Sequence, residues 1–163
     1  MFSVVALLAA CGSTEDFDAS IQLDVSAEGP FFSGPNTLQA EYTVNLKSLI
    51  ANKEFTANDI KEVKVKSVTI KIPEGDAIGI DSFNNVVVQL ASDNAPMTNI
   101  AILNPINGNG NELTLTSSAD AEIEDFFKQE KFIVLVDWDF KEDSMRPEMH
   151  SNVKIDLVFK LKQ

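Results

Sequence analysis

Along the second half of the chain, apolar side chains recur at every second position. Phe132, Val134, Val136, Trp138 and Phe140 form one such series. Val153, Ile155, Leu157, Phe159 and Leu161 form another, interleaved with Asn152, Lys154, Asp156 and Lys160. A period of two belongs to a β-strand with one buried face, whereas a helix repeats every 3.6 residues. No other feature constrains the fold as strongly. Each such strand needs hydrogen-bonding neighbours for its backbone and a cover for its apolar face.

The same signal recurs upstream. Ile21, Leu23 and Val25 alternate with Gln22 and Asp24, and Leu38, Ala40, Tyr42, Val44 and Leu46 alternate with Gln39, Glu41, Thr43 and Asn45. Val63 and Val65 keep one phase, and Val68, Ile70 and Ile72 keep the other. The phase change at Lys66-Ser67 predicts a β-bulge or a strand that switches sheets. Further strands are expected around Val86, Val88 and Leu90, at Ile100–Leu103, and at Leu113 and Leu115, with Asn107-Gly-Asn-Gly110 as a tight hairpin before the last of these.

Two stretches lose the period. Leu49, Ile50 and Phe55 suit a short helix or ordered crossover, and Thr56 with Asp59 has the spacing of a capping box. Ser118, followed by Asp120 and Glu122, predicts a second helix, with Ala119, Ile123, Phe126 and Phe127 on its apolar face. About eight strands with two short helices predict an all-β domain. The expected architecture is an antiparallel β-sandwich of immunoglobulin-like topology, and the alternative is a closed β-barrel. The two strongest strands are expected to pair antiparallel across a polar loop, Lys141–Ser151. Ile133 and Leu135, apolar on the second face, predict that the first of these strands is central and buried on both sides near its start.

The N-terminus carries a different kind of signal. Ten uncharged residues end in Leu8-Ala9-Ala10-Cys11, followed by Gly12 and Ser13, and Cys11 is the only cysteine. Such a run is too short to span a bilayer, which takes about 20 apolar residues, and has the form of an export h-region. It resembles the lipobox of bacterial lipoproteins. The resemblance implies cleavage before Cys11, a diacylglyceryl group on its thiol and an acyl group on its new amino terminus. Burial of acyl chains gains about 0.8 kcal/mol per CH₂, so more than one chain makes a firm anchor. No Lys or Arg precedes the run, which places the expected natural start upstream. The acidic cluster Glu15, Asp16 and Asp18 resembles the export signal of surface lipoproteins of the Bacteroidota. The expected location is thus the cell envelope, lipid-anchored in the outer membrane and facing either the cell surface or the periplasm. The chain divides into a signal segment (1–10), a lipidated cysteine with an acidic tether (11–19) and one domain (20–163).

Composition narrows function. With 163 residues and 44% hydrophobic content the chain can bury a sizeable single core. A net charge of −12 repels phosphate backbones, so nucleic acid is not an expected partner. The expected partners are the membrane, through the lipid, and an envelope protein or a glycan. Catalysis finds few candidates and no catalytic residue is assigned. His150 is the only histidine and sits in the polar loop, no G-x-S-x-G elbow occurs, and Gly108 and Gly110 lack the Lys of a phosphate loop. Asp137 and Asp139 flank Trp138 on one strand, about 7 Å apart, a separation that suits glycan hydrolysis. Their position also suits a plain polar outer face. No organic cofactor is expected. Calcium takes six to eight oxygens from acidic loops, and the candidate ligands are Glu74, Asp76 and Asp81 in one connection and Glu142, Asp143 and Glu148 in another. The candidate binding loop is Gly29-Pro-Phe-Phe-Ser-Gly-Pro35, where Phe31 and Phe32 either recognise a ligand or plug the end of the core.

Overall fold

The computed structural model describes residues 13–50, 55–74 and 78–162. Eight strands make up most of it: β1 (Thr14–Glu28), β2 (Gly34–Thr43), β3 (Ile60–Lys71), β4 (Phe83–Ala91), β5 (Thr98–Leu103), β6 (Glu112–Ser117), β7 (Lys131–Phe140) and β8 (Glu148–Lys162). Two one-turn helices, α1 (Leu46–Leu49) and α2 (Glu124–Phe127), lie in the connections. All neighbouring strands are antiparallel, and their order closes into a barrel, β1-β2-β7-β4-β5-β6-β3-β8. The closed barrel is therefore the architecture formed, of the two that the alternation allows.

The barrel is flattened. Long ladders join β1 to β8, β8 to β3 and β3 to β6 on one face, and β2 to β7, β7 to β4 and β4 to β5 on the other. The seams are short. β1 meets β2 through Ser26 opposite Gln39, and β5 meets β6 through Ala101 opposite Ser117 and Ile102 opposite Thr116. Two four-stranded faces ordered 1-8-3-6 and 2-7-4-5 have the strand order of an eight-stranded jelly roll. Every connection except β4–β5 passes from one face to the other, so the loops gather at the two ends.

The core lies between the faces, built from the inward residues of each strand. Trp138 is fully buried against Phe83, with ring centroids 4.3 Å apart. Phe127 packs edge-on against Phe132 of one face and Phe159 of the other, which ties the faces together near one end. The β1–β2 seam is filled by the β2–β3 connection. Leu46, Leu49 and Phe55 pack onto the core there, and the Phe55 ring lies 5.4 Å from that of Phe17. The phase change in β3 is a register shift between Val65 and Ser67 against β8, as the alternation predicts. The Thr56–Asp59 box also forms, with the Asp59 carboxylate accepting from the Thr56 amide and hydroxyl, both at 2.8 Å.

Several expectations are corrected. Thr14 to Ala19 do not form a tether but the first part of β1, in register with Leu157 to Lys162 of β8. Asp18 there pairs with Lys66 at 3.1 Å. β7 and β8 are not partners. β7 sits between β2 and β4, and β8 between β1 and β3, because the connection after Phe140 carries the chain over the barrel end. Ile133 is exposed rather than buried on a second face. The connection at Asn107–Gly110 belongs to a longer loop, since β5 ends at Leu103 and β6 begins at Glu112, with Gly108 and Gly110 at positive φ. Ser118 does not cap a helix. Its amide bonds the Ile100 carbonyl, and α2 starts only after Ile123.

Candidate functional site

The end where β1 finishes collects the described parts of four connections: residues 29–33, 72–74 with 78–82, 104–111 and 141–147. Two of them lock together. The Gly29 amide donates to the Pro147 carbonyl at 2.8 Å, and Phe31 and Ser144 exchange backbone hydrogen bonds of 2.9 and 2.7 Å. These bonds prolong the β1–β8 ladder past Glu28 and Glu148 as a short ribbon. Strand-like alternation then separates the paired phenylalanines. Phe31 turns inward, 2% exposed, and stacks on Phe140 with centroids 5.3 Å apart and planes 8° from parallel. Phe32 turns outward and is 58% exposed. The sequence candidates thus divide: Phe31 is the plug and Phe32 the residue free to meet a ligand.

The backbone under Phe32 is held on every side. The Asn36 side chain donates to the Phe32 carbonyl at 2.7 Å and to the Gly34 carbonyl at 2.9 Å, and accepts from the Phe32 amide at 3.3 Å. The Ser33 amide donates to Asp143 Oδ1 at 2.8 Å. Gly34 has φ of 100°, which favours glycine at the turn into β2. Gly29 is required for another reason: a Cβ there would collide with the Arg146 carbonyl oxygen.

The acidic candidates are only partly brought together. Asp81, Glu142 and Asp143 line one cleft of about 360 Å³ with Ile78, Phe140 and Lys141. The Lys141 ammonium donates to the Asp81 carbonyl at 2.7 Å. Glu74 lines a separate cleft beside Lys71 and Lys154, and Asp76 lies outside the described residues. Glu148 belongs to β8 and contacts His150. Among the described residues no three His, Cys, Asp or Glu side chains form a group able to hold a metal ion. Cys11 also lies outside the described residues.

His150 is on β8, not in a loop, because the strand starts at Glu148. Its ring bridges two carboxylates, Nδ1 to Asp24 at 3.0 Å and Nε2 to Glu148 at 3.1 Å. The hydrogen bonds to Asp24 and then Glu148 raise its pKa above the usual histidine value. These contacts make the ring a surface clamp between β1 and β8. Asp137 and Asp139 lie on the outer face of β7 while Trp138 points into the core. Asp137 accepts from the Thr37 hydroxyl, and Asp139 accepts from the Asn85 amide at 2.8 Å. Both carboxylates thus bond neighbours across the sheet.

The opposite end holds a larger hollow of about 1010 Å³, between the β2–β3 connection and the start of β7. Val44, Leu46, Phe55, Phe127 and Phe132 give it an apolar lining, and Lys47, Lys128, Glu41 and Asp93 its charge. Lys131 at its edge is paired with Glu41 at 2.7 Å, and that pairing raises the lysine pKa. Sequence reasoning missed this hollow, because its walls come from three connections that are far apart in the chain.

No family model matches the chain, and no curated protein matches it. Among solved structures it is similar to a chain of cocksfoot mottle virus, at 13% identity over 99% of this chain and 93% of that one, with a TM-score of 0.29. It is also similar to a chain of turnip yellow mosaic virus, at 12% identity over 100% of this chain and 90% of that one, with a TM-score of 0.28.

Proposed function

We propose that the chain is a lipid-anchored protein of the bacterial cell envelope whose barrel is a non-catalytic binding or scaffolding module. The observation that carries this reading is the placement of Leu8-Ala9-Ala10-Cys11 directly ahead of β1, which begins at Thr14. A lipid on Cys11 would hold the barrel by the end where β1 starts. The loops at 29–33, 78–82, 104–111 and 141–147 would then face away from the membrane. Binding is favoured over catalysis because His150, Asp137 and Asp139 are each engaged by structural neighbours.

The test is Cys11→Ser in the producing cell. The wild-type protein should label with radioactive palmitate, partition into the detergent phase and lack residues 1–10. The variant should lose the label and leave the detergent phase, because among the described residues no helix is long and apolar enough to cross a membrane. A Cys11→Ser protein as membrane-bound as the wild type would overturn the anchor. Protease treatment of intact cells then separates a surface module from an accessory subunit facing the periplasm.

A further inference from the structure

Among the described residues five large apolar side chains are exposed, and two of them, Phe32 and Met145 (75% exposed), belong to the ribbon beyond β1 and β8. The bridge between Phe31 and Ser144 turns their neighbours, Phe32 and Met145, to the outer side together. An aromatic ring on a backbone fixed by six hydrogen bonds loses little freedom when it is buried by a partner. Met145, diagonal to Phe32 on the same outer side of the ribbon, supplies adaptable apolar surface. This is the composition of an interface centre rather than of a random surface leucine.

The rim is net negative, with Glu28, Glu142, Asp143 and Glu148 outnumbering Lys141 and Arg146. Glu142 and Asp143 precede Met145 in the chain, and Glu28 lies two positions before Pro30 on the strand that leads to Phe32. Glu28 also stands directly opposite Glu148 in the β1–β8 register. Like charges opposite each other in a sheet are destabilising. His150 contacts Glu148 rather than Glu28. Two facing carboxylates beside an exposed, immobilised ring suit a partner that brings positive charge.

We propose that the Phe32–Met145 tip docks a protein with a basic surface around an apolar recess, the recess taking the Phe32 ring and the basic rim meeting Glu28, Glu142 and Asp143. This deepens the binding-module reading and rests on it, but not on the lipid anchor. A glycan is the less suited occupant, because a net negative rim favours cationic groups over neutral hydroxyls.

The test selects random peptides displayed on phage against the full chain in detergent, and titrates the selected peptides in solution. Peptides with Lys or Arg around an apolar residue are expected. Phe32→Ala should weaken them about tenfold or more, as truncation of an interface anchor does. Glu28→Gln should weaken them at low salt and much less at high salt, while the folded protein becomes no less stable. A merely structural role for Glu28 would not separate binding from stability in this way. Peptides without basic enrichment, or ones that bind the Phe32→Ala protein as well as wild type, would overturn the tip while leaving a binding module intact. Selection of no peptide, with displacement by oligosaccharides instead, would assign the tip to a glycan and overturn the proposal. The Cys11→Ser result bears on none of these outcomes.

Discussion

Adjacent phenylalanines with opposite burial allow the architecture of the loop at residues 29–33 to be measured. Phe31 is 2% exposed and Phe32 is 58% exposed. A buried aromatic removes about 150–250 Å² from water, and at about 25 cal/mol per Å² this amounts to about 4–6 kcal/mol. Alanine retains part of that burial, but the cavity and the lost stacking on Phe140 add to the cost. Phe31→Ala should therefore destabilise by about 3–5 kcal/mol, the range for truncating a core aromatic. Phe32→Ala should stay within about 0.5 kcal/mol, as exposed substitutions do. Urea unfolding followed by fluorescence reads both, since Trp138 is the only tryptophan and is fully buried. Its emission should shift to the red on unfolding. With a slope of about 2 kcal/mol per M, the midpoint should fall by about 1.5–2.5 M for Phe31→Ala and by less than about 0.3 M for Phe32→Ala. Equal shifts, or a larger one for Phe32→Ala, would refute the assignment of Phe31 as the plug. A tryptophan that already emits as though solvated in the native protein would refute the packing of the core beneath it.

Gly29→Ala should cost about 1–3 kcal/mol, typical of overpacking, because the new methyl meets the Arg146 carbonyl and the ribbon must part; calorimetry checks this, and an unchanged melting temperature would contradict the contact. His150 should titrate by NMR above its ordinary value near 6.5, and Asp24→Asn should lower it, since the Asp24 hydrogen bond is the largest cause of the shift. A raised folded pKa means that the clamp contributes its stability fully below about pH 6.5 and loses it as the pH rises through the folded value. For a pair this exposed the loss is at most about 1 kcal/mol, and His150→Ala should flatten the profile. Ser151 is fully buried and its hydroxyl has no hydrogen-bond partner. Ser151→Ala should be neutral or stabilise by about 1 kcal/mol in the same urea assay, whereas a clear loss of stability would show that the hydroxyl is satisfied.

Local chemistry made much of this legible in advance. The two-residue alternation located the strands and their inward faces, the phase change at Lys66-Ser67 marked the bulge, and Thr56 with Asp59 marked the turn into β3. These features depend on residues a few positions apart, which is the range over which side-chain period and capping act. Strand ends were less readable where an inward position carries a small or polar side chain. Met149, Ser151 and Val153 continue the inward series of β8, but the buried serine hides it, so His150 reads as a loop residue. Ala19 and the aspartates around Phe17 hide the start of β1 in the same way.

Tertiary structure alone decided which strands pair. β7 and β8 have nearly interchangeable alternating patterns, and either could lie beside any strand with an apolar inner face. The choice was made by ladders such as Leu38 opposite Val136 and Val68 opposite Ile155, each between segments far apart in the chain. The division between Phe31 and Phe32 was settled in the same way. Neither ring differs from the other in sequence, and only the bridge to Ser144, 113 residues beyond Phe31, turns one onto Phe140 and the other to solvent. Period and capping are short-range properties of a chain, whereas closure of a barrel and the facing of a loop depend on partners that only folding brings together.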